Sequence, residues 1–192
     1  MVSLHATKVV HAIEGGFIAA TDPTIREKVE WMRRFGHKGD DSFYGVGINA
    51  KMSEFHAAMG LCNLNHIDKI WERRKAISDA YDKAFLDSNL QTPRPLAYRP
   101  EATRNYAYYP IIFESEEQLL GAVSLFESNG IYPRRYFFPA LDQVPEISSV
   151  DQCSQIATCV SKIILCLPLS ASMNEQEAEQ ICKILKELEE VR

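Results

Sequence analysis

The first twenty residues, MVSLHATKVVHAIEGGFIAA, hold two formal charges, Lys8 and Glu14, among small and β-branched side chains. A segment with so little charge belongs inside a larger sheet. Left in water, it would expose apolar surface and unpaired strand edges. The pattern predicts buried strands and tight turns over residues 1–20, with Gly15-Gly16 as the turn signal. Lys8 is the exception within it. A buried lysine loses proton affinity because its charged form is poorly solvated. A neutral amine attacks carbonyls, which makes Lys8 a Schiff-base candidate. The other reading is a surface lysine at a strand end, where charges usually sit.

Capped helices follow. Asp22-Pro23 reads as an N-cap with proline at the first helical position. Ile25, Val29 and Met32 then repeat at helical spacing, and Gly36 offers a stop. Residues 36–51 are glycine-rich and irregular, a length of loop that is often functional. Ser53 caps the next helix. Its apolar stripe runs through Phe55, Met59 and Cys62, then Ile67, Ile70, Ile77, Tyr81 and Phe85, with a break near Asn65. Three prolines and three arginines in residues 91–104 mark a domain boundary. Tyr106 to Phe113 predicts a strand, with Pro110 placing it near an edge or bulge. Ser115 to Gln118 is a capping box, and the helix it opens closes at Gly130. An aromatic, proline-rich stretch over 131–147, a helix around 150–160 and a strand from Ile163 to Leu167 come next. Asn174 to Glu177 then caps a last helix with Ile181, Leu185 and Leu188 on one face. The order is mixed α/β with helices dominant.

Composition narrows the function. A net charge of −5 leaves no basic footprint for nucleic acid or an anionic membrane. No stretch approaches the ~20 apolar residues of a membrane span. The amino terminus lacks the basic region and cleavage site of a signal peptide. Cys62, Cys153, Cys159, Cys166 and Cys182 form no C-x-x-C pair and occupy apolar positions, which predicts buried free thiols and a reducing cytoplasm. His5, His11 and Glu14 match no standard zinc spacing, so no metal site is expected. His5, three residues before Lys8, falls on the opposite face if the segment is a strand, and packing there is its plainer role. His56 and His66 belong to the long-helix surface. Tyr106, Tyr108 and Tyr109 read as strand packing, with base stacking the other possibility.

Several segments share an order with one family. Ser3-Leu-His-Ala-Thr-Lys8 with Ile13-Glu-Gly-Gly16 closely resembles the cofactor-lysine segment of the DegT/DnrJ/EryC1/StrS sugar aminotransferases. Gly47-Ile-Asn-Ala-Lys-Met52 resembles that family's G-x-N-x-[RK]-M loop, and Ala57-Ala58-x-Gly60 the start of its long helix. Asn105 to Pro110, Gly130 to Pro139 and Cys166-Leu-Pro-Leu169 resemble later segments in register, and Arg34-Phe-Gly-His37 resembles a family loop shifted by one place. The resemblance covers essentially the whole chain.

It implies the carboxy-terminal part of a fold type I pyridoxal 5'-phosphate enzyme. Residues 1–90 would be the tail of the large cofactor domain and 91–192 the small α/β domain. Lys8 would carry the cofactor, and Ser3 would hydrogen-bond its phosphate. Asn49 would reach the phosphate of a neighbouring subunit. Lys51 stands where arginine is commonest and keeps the charge without the bidentate fork. Arg134 and Tyr136 would face substrate. The implied reaction transfers an amino group from glutamate to a nucleotide-linked keto-sugar of the 4-keto-6-deoxy type. The implied partner is a second copy in a homodimer, or a missing amino-terminal half carrying the rest of the cofactor site. The alternative is a truncated, catalytically incompetent remnant that dimerises or docks.

Overall fold

The computed structural model describes residues 1–146 and 154–190. It divides into two compact units, Met1–Ile70 and Trp71–Arg192.

The first unit opens with two short strands, β1 (Val2–Ser3) and β2 (Gly16–Phe17), paired antiparallel with Ser3 opposite Gly16. Helix α1 (Pro23–Met32) follows, and Asp22 caps it by accepting from the Thr24 amide. That hydrogen bond, with the one from the Thr24 hydroxyl, holds the Asp22 carboxyl below its ordinary range. Ser53 caps α2 (Glu54–Leu64) by accepting from the His56 amide. The expected break falls at Asn65 and His66, so His66 lies in a turn and not on a helix surface. Residues 1–20 are not buried strands. Val2, Phe17 and Ile18 are exposed, because each strand is two residues long and nothing in the unit covers the sheet. Phe55 and Met59 of the expected apolar stripe are likewise exposed.

The second unit holds the core. Helix α3 (Ile67–Ser88) contributes Ile77, Tyr81 and Phe85 to it. The expected boundary at residue 90 would instead group this helix with the amino-terminal segment. Strands β3 (Arg94–Pro95), β4 (Tyr109–Ile112) and β5 (Ile164–Leu167) form an antiparallel sheet in that order. Tyr109 pairs with Leu167 and Ile111 with Leu165, so one face carries all four into the core. Helices α4 (Glu116–Ser128) and α6 (Glu175–Glu190) add Leu119, Phe126, Ile181 and Leu185 to the same cluster.

Pro110 sits in the middle strand rather than at an edge. On the β5 side Cys166, opposite it, turns both backbone groups to Arg134 and asks nothing of Pro110; on the β3 side the Pro110 carbonyl accepts from Leu96, and the missing N–H leaves out the return bond to the Leu96 carbonyl just past the end of β3. The expected strand also starts late. Tyr106 has φ 51, and the Arg74 guanidinium holds the carbonyls of Tyr106 and Ala107 at 2.7 Å each, bending the chain before β4. Tyr106 and Tyr108 therefore lie outside the strand.

The cysteines divide. Cys166 and Cys182 are buried, but Cys62 of α2 and Cys159 of α5 (Gln155–Ile163) are exposed. Cys153, and the part of the expected 150–160 helix before Ser154, lie outside the described residues.

Candidate functional site

The loop between β1 and β2 carries Lys8. It is a turn, not a strand: the Lys8 amide donates to the His5 carbonyl at 2.9 Å. Strand alternation therefore does not place His5 opposite Lys8. The His5 Nδ1 accepts from the Thr7 amide at 3.2 Å and lies 2.9 Å from the Thr7 hydroxyl. With Nδ1 used as acceptor, the ring proton belongs on Nε2, which lies 3.6 Å from the Glu14 carboxylate. His11 is turned to its own loop, where Nδ1 accepts from the Ile13 amide. Among the described residues no three histidine, cysteine, aspartate or glutamate side chains assemble as a metal would need.

Lys8 itself is exposed, not buried as its uncharged surroundings suggested. Its amine makes no hydrogen bond or ion pair with any described residue. The loop beneath it is tied down. Leu4 donates to Gly15 at 2.9 Å, Ala12 donates to Leu4 at 2.8 Å, and the Asn63 amide of α2 donates to the His11 carbonyl at 2.8 Å.

Residues 34–51 build the second part. Gly36 (φ 79) and Gly47 let two backbone segments touch, since a Cβ on Gly36 would collide with the Gly45 carbonyl and one on Gly47 with the Gly36 amide. This fold-back pairs Arg34 with Asn49. It also brings the Lys51 amine onto the Asn49 side-chain oxygen and over the Phe35 ring, 4.2 Å from its centroid. Ser3 and Lys51 line an open cavity of about 980 Å³ with Arg26 and Arg33. Lys8 and Asn49 do not line it. His37 is an exposed loop residue beside Phe43.

Arg134 and Tyr136 belong to the second unit. The Arg134 guanidinium donates to the Tyr136 hydroxyl at 2.8 Å, and Tyr108 meets the Tyr136 ring edge-on at 5.3 Å. Burial raises the Tyr108 phenol above its ordinary value. The neighbouring Arg135 is structural, bonded to Glu116 and stacked 3.6 Å over Phe138. The sequence alone did not single out Asn63, Thr7 or Arg74, and it read Tyr108 as strand packing and not as a neighbour of Tyr136. Only Gly60, a glycine inside a helix, carried a local signal.

This fold recurs among aminotransferases of known structure. An aminotransferase of Helicobacter pylori involved in the biosynthesis of pseudoaminic acid superposes with a TM-score of 0.86 at 20% identity, over 98% of this chain and 52% of its own. Two curated relatives are dTDP-4-amino-4,6-dideoxy-D-glucose transaminases. That of Shigella dysenteriae is 29% identical over 98% of this chain and 52% of its own. That of Escherichia coli is 32% identical over 90% and 47%. The DegT/DnrJ/EryC1/StrS aminotransferase family model matches residues 1–186, and the chain belongs to that family. It spans about half the length of these relatives.

Enzymes of this family depend on pyridoxal phosphate. The donor set suits such a group. An amine with no partner among the described residues meets an aldehyde's need, and a hydroxyl with nearby lysine and arginine cations meets a phosphate's.

Proposed function

We propose that this chain is part of a pyridoxal 5'-phosphate-dependent aminotransferase that moves an amino group from glutamate to a nucleotide-linked keto-sugar. The observation that carries this reading is Lys8: an uncommitted amine on a pinned turn, in a family match covering residues 1–186. The names of the Shigella and Escherichia relatives support a 4-keto-6-deoxy acceptor. Pyridoxal phosphate, when bound, supplies the electron sink that makes the donor's α-hydrogen acidic. Lys8 would hold the cofactor through its amine and would then move the proton at the donor's α-carbon. The Ser3 hydroxyl donates to the phosphate. Asn49 reaches the phosphate of a second subunit, and Lys51 adds a point charge without a bidentate fork. Arg134, with the Tyr136 hydroxyl it holds, binds an anionic group of the nucleotide or the donor carboxylate.

The working unit is a homodimer, or this chain joined to the half that its relatives have in addition. The free thiols Cys62, Cys159, Cys166 and Cys182 support a reducing, cytoplasmic setting. A second reading, a remnant that only dimerises or docks, is favoured by the exposure of Lys8 and its absence from the cavity wall. One experiment separates the two. The purified chain is mixed with pyridoxal phosphate, reduced with borohydride and mapped by mass spectrometry. A single stoichiometric adduct on Lys8 is expected. Adducts scattered over surface lysines would favour the remnant.

A further inference from the structure

We infer that Asn63 and Gly60 of α2 are positioning residues for the Lys8 turn, acting through His11 and Ala12; this rests on the reading of Lys8 given above. A lysine side chain is long and flexible, so the place of its amine is set by the backbone that anchors it. Two contacts from a helix some fifty residues further along reach that backbone. The Asn63 Nδ2 donates to the His11 carbonyl at 2.8 Å. Ala12, with 0% exposure, lies against Gly60, where an added Cβ would stand 3.3 Å from the Ala12 Cβ.

Glycine weakens a helix interior, so its place in α2 calls for a reason, and the approach of Ala12 supplies one. From Ala12 the tie runs back through its amide to the Leu4 carbonyl, and from Leu4 to Gly15, closing the loop on which Lys8 sits. The next residue, Ile13, is β-branched and has φ 67, a conformation such residues rarely adopt unless their neighbours hold it. The clamp on the two residues before it, His11 and Ala12, is what holds it.

The test uses the full chain with Asn63→Asp, Asn63→Gln, Gly60→Ala and the pair Gly60→Ala with Ala12→Gly. The first readout is hydrogen exchange at the Leu4 and Ala12 amides without any cofactor. The second is the share of borohydride-fixed pyridoxal phosphate found on Lys8, followed against pH. Asn63→Asp keeps the shape but replaces the donor with a carboxylate. It should speed exchange at both amides about tenfold, the worth of one lost hydrogen bond, and lower the Lys8 share. Gly60→Ala should do the same while protection within α2 holds or rises, because alanine is the better helix former. Asn63→Gln and the paired variant should restore both readouts.

Unchanged loop exchange in both Asn63→Asp and Gly60→Ala would overturn the proposal, since the loop would then be held by its own bonds. Loss of protection throughout α2 in Gly60→Ala would overturn it too, as damage to the helix. Should the parent chain show no preference for Lys8, the cofactor reading fails, and the exchange data alone decide whether α2 pins the loop.

Discussion

Burial pushes the Cys166 thiol up to about 11 and the Cys182 thiol up to about 12, from an ordinary value of 9.0. An unfolded chain releases these protons near pH 9, while the folded one keeps them. Between those limits the folded state binds more protons, so stability falls as pH rises. The Tyr81 and Tyr109 phenols, raised by burial, act in the same direction. Stability is therefore full below pH 9 and lost progressively towards pH 12. The urea midpoint should fall between pH 8.5 and 11, and Cys182→Ala should flatten that slope. In the native protein at neutral pH, an alkylating reagent should mark Cys62 and Cys159 and spare Cys166 and Cys182 until unfolding. A midpoint unchanged to pH 11, or early labelling of Cys182, would show that the thiols are wet. The sequence made all of these cysteines look buried, because each lies on an apolar stripe. A stripe records that a face is apolar, and at Cys62 and Cys159 no described residue buries it.

The capped helices are the elements most legible in the sequence. Asn174 and Glu177 bond reciprocally, the Asn174 amide to the Glu177 carboxylate at 2.7 Å and the Glu177 amide to the Asn174 side chain at 2.9 Å. Asn174→Ala should cost about 1 kcal/mol by removing one of these bonds from α6. Leu185, fully buried on that helix, should cost about 2–5 kcal/mol on replacement by alanine. Urea unfolding of both variants checks the ratio, and equal losses would mean that α6 is fixed by its end and not its face. Caps are legible because they are local: the signal and its partner lie three residues apart. The strands are less so. β3 hides in a proline-rich stretch, and the start of β4 depends on Arg74, some thirty residues away, capturing two carbonyls. The same holds at the candidate site. The Lys8 motif could be read from the sequence, but its clamp from Asn63 could not, because nothing near residue 8 records what residue 63 will touch.

At the scale of the molecule, the two units differ in what holds them. The cluster of buried side chains lies in the second unit, where α3, α4, α6, β4 and β5 share it. Among the described residues of Met1–Ile70, Ala12 is the sole buried apolar side chain. The same unit exposes Val2, Phe17, Ile18, Phe43, Val46, Ile48, Phe55, Leu61 and Leu64, large apolar side chains of the kind that mark interaction surfaces when they lie together. Its paired strands are two residues long and leave edges open to further pairing. Hydrophobic burial is the main stabilising term in folding, so the first unit should open at a far lower free energy than the second. Brief trypsin treatment should cut first within residues 26–51, where arginines and lysines are exposed, and leave a resistant fragment beginning near Trp71. Light scattering should show a mass above 21.8 kDa that grows with concentration, since a second copy offers the first unit its nearest source of cover. Uniform resistance in a monodisperse monomer would mean that residues 1–70 find their own core, and the case for an incomplete cofactor site would fall with it. Cleavage confined to the first unit, slowed by self-association, would instead mark that unit as one whose exposed apolar side chains find their cover on a second molecule.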